Sequence, residues 1–397
     1  MTQKRVLVGL SGGVDSAVSA YLLKEQGYDV VAGFMKNYAD ESNPNCHTRE
    51  DRNTAIQVAQ YLGIQDFMIF DFRQEYEERI INYIYEWYKA WITPNPDILC
   101  NNLVKFDLFL EKAMSYGFDY IATGHYARIS SVTSNPQSGV RSIGNTEQNN
   151  SYTSRPSSSK WQEYQLLRWI DHNKDQSYFL SGLNQYQLSK ALFPVGELTK
   201  PEVRAIAEKI WLPNADRKDS QGLCFIGNVP MKEFLQKKLP IQKWDIILDH
   251  EKKVGEHDGA WFWTIGQSRG LDLNIKAYVT AIDVKNNIVH VSYERNDPNL
   301  LHDQAVCHSW HWINARLCEE WNDEAILDSR SPRSARDDKN VTVKIRYRQD
   351  PPVAAILLQA ENNTVTVQFD EPQRGIAPGQ SIVAYDGDVC LGGGVIV

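Results

Sequence analysis

The sequence predicts an α/β protein: an N-terminal parallel sheet with helices on both faces, a small central domain and a C-terminal antiparallel β-barrel. Three observations predict it. Apolar β-type runs alternate with helical patterns as far as about Gly124, which a parallel sheet with crossover helices satisfies. From about Trp244 onward the texture changes to short β runs separated by turns, as in a small barrel or sandwich. The length of 397 residues is two to three times a ~150-residue domain.

Arg5 to Leu10 is an unbroken apolar run that ends in the small-residue turn Ser11-Gly12-Gly13-Val14-Asp15-Ser16, and a helical pattern from Ala17 to Gln26 closes at Gly27. Val30 to Met35 reads as a strand, Glu50 to Leu62 as a helix ended by Gly63, and Phe67 to Asp71 as a third strand. Helices are expected over Tyr76 to Trp91 and Val104 to Tyr116, then a strand over Tyr120 to Thr123. Ser130 to Lys160 is dominated by Ser, Asn, Gln, Thr, Pro and Gly; it buries too little apolar surface to offset its ordering entropy and reads as a disordered insertion. Regular structure resumes at Tyr164 to Trp169, with helices over Gln185 to Ala191 and Pro201 to Lys209. The later strands fall at Asp245 to Leu248, Ala277 to Asp283, Ile288 to Ser292, Val341 to Tyr347, Val353 to Leu358, Thr364 to Phe369 and Ser381 to Tyr385. A polar stretch, Asn322 to Asn340, reads as a mobile loop. The expected domains are 1–204, 205–275 and 276–397.

Composition excludes several classes. Hydrophobic residues make up 42% and charged residues 23%, so the chain as a whole is not disordered. A net charge of −8 argues against a protein that coats nucleic acid through counterion release. A local basic face on an RNA enzyme stays open. No run of about 18 apolar residues is present, so no membrane partner is expected. The opening MTQKRVLVGL carries no signal or transit pattern, which makes the cytoplasm the expected location. The six cysteines, Cys46, Cys100, Cys224, Cys307, Cys318 and Cys390, are too sparse for a disulfide scaffold and read as reduced thiols at rest.

The turn Ser11 to Ser16 joins a strand to a helix. Backbone N–H groups at a helix N-terminus, with glycines allowing close approach, form an anion site. It lacks the GK[ST] ending of a Walker loop. A Gly-Gly by itself would ordinarily be a tight turn; SGGVDS after the first strand resembles the PP-loop ATP pyrophosphatase superfamily. That resemblance implies cleavage of ATP between the α and β phosphates and transfer of AMP. The loop and helix dipole would hold the pyrophosphate, and Asp15 would help position Mg²⁺.

Two further segments narrow the resemblance. Thr93-Pro94-Asn95-Pro96-Asp97-Ile98-Leu99-Cys100-Asn101 sets a cysteine after a rigid Pro-x-Pro turn, and Lys218-Asp219-Ser220-Gln221-Gly222-Leu223-Cys224-Phe225-Ile226-Gly227 sets another after a Gly-containing turn. Two remote cysteines alone are ordinarily inert buried residues. Here each reads as lying in a polar loop beside a carboxylate, and both strings closely resemble those of the tRNA 2-thiouridylase family. So do FMKN (Phe34–Asn37), ATGHYAR (Ala122–Arg128), NKDQSYFL (Asn173–Leu180), LFPVGEL (Leu192–Leu198), RYRQ (Arg346–Gln349) and CLGGG (Cys390–Gly394).

The family implies a chemistry. The C2 oxygen of uracil leaves poorly, so ATP first adenylates it. A persulfide on Cys224, loaded by a cysteine desulfurase or a sulfur-relay carrier protein, then delivers sulfur in a low-pKa form. The thiolate of Cys100 attacks either after that transfer, leaving a transient Cys100–Cys224 disulfide, or before it, freeing hydrosulfide. Asp97 would handle the proton of uracil or thiol. By the same resemblance Gly9, Leu10, Ser11, Gly12, Gly13, Val14, Asp15, Ser16, Met35 and Gly124 line the nucleotide site. Asn95, Pro96 and Asp97 face the target base, which must leave the anticodon stack. The implied RNA contacts are His125, Lys174, Asp175, Gln176, Arg346, Tyr347 and Gln380, and the implied substrates are the tRNAs for Lys, Glu and Gln, modified at the wobble uridine. Alternation along one strand would also align Lys344, Arg346 and Arg348 as a basic stripe. The alternatives are another PP-loop ATP-dependent ligase, which needs no cysteine pair, and a non-catalytic RNA-binding or sulfur-carrier protein, which leaves the ATP loop unexplained.

Other motifs read as structural. Cys307, His308, His311 and Cys318 fit no usual zinc spacing, so no metal centre is expected there. Trp261, Trp263, Trp310 and Trp312 look like barrel core or cross-strand pairs. At Gly266-Gln267-Ser268-Arg269-Gly270 the family usually reads GQRKGL, so one cation is missing and an RNA contact there is in doubt.

Overall fold

The computed structural model describes residues 3–38, 48–134, 161–171, 174–219, 229–249, 252–314, 341–359 and 363–397. Among them, seven strands precede residue 200: β1 (Arg5–Gly9), β2 (Asp29–Lys36), β3 (Phe67–Asp71), β4 (Tyr120–Ala122), β5 (Arg128–Ser134), β6 (Trp161–Leu167) and β7 (Ala191–Leu192). The order β3-β2-β1-β4-β7 makes a parallel sheet, with Val6 opposite Val30 and Tyr120. The chain winds from β1 outward through β2 and β3, then returns to place β4 on the other side of β1. The carboxyl ends of β1 and β4 therefore flank the point where winding reverses, the position at which such sheets open a ligand crevice. Helix α1 (Val14–Glu25) packs its Val14, Ala17, Val18 and Leu23 side with Val6 and Val8 on one face. Phe106, Phe109 and Leu110 share the opposite core with Leu7 and Val31. Strand residues of both parities are thus buried, as a two-sided sheet requires.

Ten more strands follow among the described residues: β8 (Trp244–Leu248), β9 (Lys252–His257), β10 (Tyr278–Asp283), β11 (Ile288–Ser292), β12 (Leu301–Trp312), β13 (Val341–Lys344), β14 (Val353–Gln359), β15 (Val365–Arg374), β16 (Ser381–Asp386) and β17 (Val389–Ile396). The order β10-β11-β8-β9 is a separate four-stranded sheet. The order β12-β15-β14-β13-β16-β17 closes through a β12–β17 pairing into a six-stranded antiparallel barrel. Sheet, helices and barrel agree with the expected fold class. Strands β10 and β11 join the central sheet, although the sequence grouped them with the barrel, because β11 pairs with β8 in parallel.

Two segments differ from expectation. Ser130 to Ser134 are strand rather than insertion: β5 and β6 pair from Arg128 with Leu167 to Ser134 with Trp161. Residues 135–160 and 322–340 lie outside the described residues. The β5–β6 hairpin also extends the barrel sheet, with Cys390 opposite Leu166. Second, the helix expected from Val104 begins at Pro96 and runs through Pro96–Cys100, Asn101–Leu108 and Phe109–Ser115, since proline at a first helical position starts a helix.

Candidate active site

Four residues, Leu10 to Gly13, join β1 to α1. The Leu10 N–H still donates to the Gly33 carbonyl at 2.8 Å, so the turn leaves the sheet in register. Gly12 then adopts φ +80°, and a Cβ there would stand 2.6 Å from the Asp51 carbonyl oxygen, so glycine is required twice over. The Ser16 hydroxyl donates to the Gly13 carbonyl at 3.0 Å and accepts the Ser11 N–H at 3.2 Å, closing the loop on itself. No side chain caps α1 at Gly13, which leaves its first N–H groups and the positive end of its dipole for an anion. Gly124, just past β4, would place a Cβ 2.7 Å from Ser16 N; its lack of one lets the exit of β4 lie against α1. Met35 is buried at the end of β2, its Cε 3.3 Å from the point a Gly9 Cβ would occupy. The residues Gly9 to Ser16, Met35 and Gly124 thus share one end of the sheet.

Charges converge on this loop. The Tyr126 hydroxyl donates to Asp15 Oδ1 at 2.6 Å, Lys200 Nζ lies 2.5 Å from the same oxygen, and Lys174 Nζ lies 3.6 Å from Oδ2. Lys200 also reaches Asp219 Oδ1 at 2.8 Å and Arg204 reaches it at 2.7 Å, while Lys174 pairs with Asp219 too. Partial burial pushes the Asp219 carboxyl up, yet the hydrogen bonds and charges of Lys174 and Lys200 outweigh it and hold that group well below the usual carboxylate range. Across the loop, Asn214 and Arg217 donate to the Gly12 carbonyl at 2.9 and 3.2 Å, and Arg217 pairs with Asp51. Sequence reasoning missed Tyr126, Lys200, Arg204 and Asp219. The available signals were the strings containing Tyr126 and Asp219, and the i, i+4 spacing of Lys200 and Arg204 on one helix.

The second group surrounds Cys100. Asp97 and Cys100 sit three residues apart in the helical turn that Pro96 opens, so both lie on one face. Cys100 is not in a polar loop, as the sequence suggested. It is buried, within the core that also holds Phe106 and Tyr178, because the helix turns it inward. The segment before it is fixed from two other domains. Gln380 Nε2 donates to the Thr93 carbonyl at 2.8 Å, and the Thr93 and Thr264 hydroxyls are 2.8 Å apart. Asn95 bonds the Tyr178 hydroxyl, which donates to the Ser381 carbonyl at 2.8 Å. Five residues after Cys100, or about 7.5 Å along a helix, Lys105 Nζ lies 3.4 Å from His125 Nε2. His125 is adjacent to Gly124, so this contact links the cysteine helix to the nucleotide loop. Cys224 lies outside the described residues, as do Cys46 and Cys318.

Several expected RNA contacts are engaged inside the protein. Asp175 accepts from the Trp169 and Ser177 N–H groups, each at 3.1 Å, and pairs with Arg168 and Lys344 at 3.2 Å each. Its side chain is 0% exposed and that of Lys344 is 1%, so burial closes this carboxylate to RNA. His125 is likewise buried, with Nδ1 2.7 Å from the Thr123 hydroxyl. Burial first, and the Lys105 charge second, push its imidazole well below the ordinary histidine value, so it is neutral near pH 7. Lys174 turns to the two aspartates, Gln176 accepts the Tyr126 N–H at 2.9 Å, and Gln380 is spent on Thr93. Arg346 is exposed with one N–H on the Arg374 carbonyl, and half-buried Tyr347 packs against Phe179 with ring centroids 4.4 Å apart. The basic stripe does not form: β13 ends at Lys344, which points inward, and only Arg346 and Arg348 are exposed.

Cys307 and Cys390 are buried, burial pushing the Cys307 thiol to about 12 and Cys390 further up, which disfavours a nucleophilic thiolate. His311 Nε2 lies 3.0 Å from the Leu183 carbonyl oxygen. Among the described residues no three His, Cys, Asp or Glu side chains are grouped to hold a metal, and no helix is long and apolar enough to cross a membrane. Trp310 and Trp312 pack at 5.6 Å, whereas Trp261 lies in a short helix against Trp91 at 5.1 Å, not on a strand.

A family model described as "tRNA methyl transferase HUP domain" matches residues 4–228, a "PRC-barrel domain" model of the same series matches 232–293, and an "Aminomethyltransferase beta-barrel domain" model matches 321–396. The tRNA-specific 2-thiouridylase MnmA of Herminiimonas arsenicoxydans is 42% identical over 100% of this chain and 98% of its own length. The chain belongs to the tRNA-specific 2-thiouridylase family. The MnmA protein of Halalkalibacterium halodurans is 41% identical over 99% of this chain and 95% of its own. A solved 4-thiouridine synthetase–RNA complex with bound ATP covers 59% of this chain and 50% of its own at 12% identity, with a TM-score of 0.32. Full-length similarity to MnmA proteins therefore spans the nucleotide loop, the Cys100 helix and the barrel alike.

Proposed function

We propose that this chain is an ATP-dependent tRNA uridine 2-sulfurtransferase. One observation carries the reading beyond family membership. The described residues on either side of Cys224 lie beside the other parts of the site: Asp219 pairs with the lysines that hold Asp15, and Val229 is buried in the core that contains Cys100. Cys224 stands five residues from each of them, and five residues reach at most about 18 Å.

The proposed steps run in this order. ATP places its phosphates against the Ser11–Ser16 loop and the open end of α1, with adenine near Met35. The uracil C2 oxygen attacks the α phosphorus, pyrophosphate leaves, and C2 carries AMP. A terminal persulfide sulfur on Cys224, supplied by a desulfurase or relay protein, attacks C2 and AMP departs. The Cys100 thiolate attacks the Cys224 sulfur, which releases the 2-thiocarbonyl and leaves a Cys100–Cys224 disulfide; a thiol reductant restores both thiols. Asp97, one turn from Cys100, takes the thiol or uracil proton. Asn95, Pro96 and Asp97 meet the base, and exposed Arg346 with the Tyr347 ring offers charge and stacking to the RNA. Mg²⁺ fits as the salt of ATP, because Mg²⁺–nucleotide sites use one or two protein carboxylates and Asp15 supplies one; bound there, it would neutralise phosphate charge.

The test is mass analysis of wobble nucleosides after tRNAs for Lys, Glu and Gln are incubated with protein, ATP and a persulfide donor. Thiolation is expected in the wild type and is lost in Cys100→Ser and in Cys224→Ser, both of which still bind ATP. Full thiolation by either variant would remove the two-cysteine scheme, and no 2-thiouridine from the wild type would remove the activity.

A further inference from the structure

Two carboxylates and three cations form a single cluster at the nucleotide loop. Lys200 bridges Asp15 Oδ1 at 2.5 Å and Asp219 Oδ1 at 2.8 Å, Lys174 faces both acids, and Arg204 adds a 2.7 Å contact to Asp219. The two acids play unequal parts. Asp15 belongs to the first turn of α1 and is further fixed by the Tyr126 hydroxyl. Asp219 comes from a different segment and brings its carboxylate to the same three cations. Arg204 is in turn aimed by the Ala215 and Arg217 carbonyls, which it reaches at 2.8 and 2.6 Å, so the fork is positioned independently of Asp219. Lys174 and Lys200 lie 5.0 and 5.3 Å from the Tyr126 ring centroid, close enough for the ring to hold both ammonium groups by cation–π attraction.

Such an arrangement has a direct chemical reading. Lys174, Lys200 and Arg204 outnumber the two carboxylates, so the cluster keeps a positive excess, and it adjoins an uncapped helix N-terminus. An oxyanion on three convergent cations is the environment a phosphate chain requires. We propose that Lys174, Lys200 and Arg204 are the cations that bind the β and γ phosphates of ATP, and that Asp219 is an internal anion which competes with those phosphates for them. The inference rests on the ATP-binding reading above and extends it to residues outside the Ser11–Ser16 loop.

A competitor and a ligand group have opposite signatures on removal. Losing Lys200 or Arg204 removes an attraction to phosphate; losing the charge of Asp219 removes a rival for it. A set of residues that merely braced the fold would give losses throughout.

Equilibrium titration of the full-length protein with α,β-methylene-ATP, and separately with AMP, reads this out. Lys200→Met is expected to weaken α,β-methylene-ATP about tenfold or more, the size of a lost charge-assisted hydrogen bond. AMP, which lacks the outer phosphates, should shift less than about twofold. Asp219→Asn is expected to tighten α,β-methylene-ATP several-fold and leave AMP unchanged. Should Lys200→Met fail to fold, Arg204→Gln gives the same readout with a smaller loss. Wild-type affinity in all these variants, or weakening in Asp219→Asn, overturns the assignment. If the wild type binds neither probe, the ATP reading falls with it; if it binds both and the variants are flat, only this inference falls.

Discussion

Lys174 and Asp175 are neighbours in sequence, yet their side chains join two ionic networks of different character. Asp175, Arg168 and Lys344 have side-chain exposures of 0%, 8% and 1%. Lys174, Asp15, Asp219, Lys200 and Arg204 have exposures of 29%, 23%, 29%, 20% and 27%. The dry network ties the barrel, through Lys344 on β13, to the turn after β6. Its members could not exchange partners without leaving a charge buried and unpaired, which costs several kcal/mol. In the wetter network water is a ready alternative partner, so the pairs can be traded for a ligand at small loss. The difference teaches that burial, not residue type, decides which ion pairs of this molecule can be exchanged.

The largest expected effect tests the dry side. Lys344→Met leaves the Asp175 carboxylate buried with Arg168 as its remaining cation and should destabilise the fold by about 3–5 kcal/mol, measured by denaturant unfolding. Adding Asp175→Asn should recover part of that loss. A loss below about 1 kcal/mol, or weakened tRNA binding with stability intact, would dissolve the distinction and return Asp175 to an RNA role.

A smaller effect is expected where a neutral contact, rather than a charge, joins the barrel to the site. Gly379 has φ +85°, and a Cβ would meet the Ile92 side chain at 2.3 Å and the Thr93 carbonyl at 2.7 Å. Gly379→Ala should cost roughly 1–3 kcal/mol and displace the segment before Asp97. Thiolation should fall at least about tenfold by that logic of misplacement, with ATP binding unchanged. Equal losses in thiolation and ATP binding would mean that the two halves of the site are not held separately.

The wetter network should barely register in stability. Arg204→Gln is expected to change unfolding free energy by no more than about 1 kcal/mol, and raising salt from low to high ionic strength should weaken this network while sparing Asp175 and Lys344. A loss like that of Lys344→Met would place both networks in one class.

What the sequence made legible divides along similar lines. The run Arg5 to Leu10, the turn SGGVDS and the alternation after it carry local signals, and the structure forms β1, α1 and β2 there. Lys344 carried a misleading one. Alternation within Lys344, Arg346 and Arg348 holds only while a strand continues, and β13 stops at Lys344; its partner Asp175 is 169 positions away, a distance no pattern of spacing encodes. Pro96 reads as part of a rigid turn but also starts a helix, and that helix carries Cys100 from the expected polar loop into the core. Asp97, Cys100 and the loop residues were legible because each sits in a distinctive string. Lys200 and Arg204 look like any solvated helix face until the fold brings Asp15 and Asp219 to them.

His125 gives the finest test, since it is buried like Asp175 but beside a cation instead of a counter-charge. Burial and Lys105 depress its folded-state value below the ordinary 6.5. Above pH 6.5 the imidazole is neutral in both folded and unfolded chains, and its contribution to stability is complete. As the pH falls below 6.5 the unfolded chain takes up a proton that the folded one refuses, so stability declines until the folded-state value is reached, by at most about 1.4 kcal/mol per pH unit. His257 is depressed by burial as well, and therefore the informative quantity is a difference between proteins. His125→Gln, whose carbonyl still accepts from Lys105 and cannot titrate, should lose less stability than the wild type between pH 7 and pH 5. Parallel curves would mean that His125 is hydrated and free to charge, and burial would no longer decide how ionisable groups behave around this site.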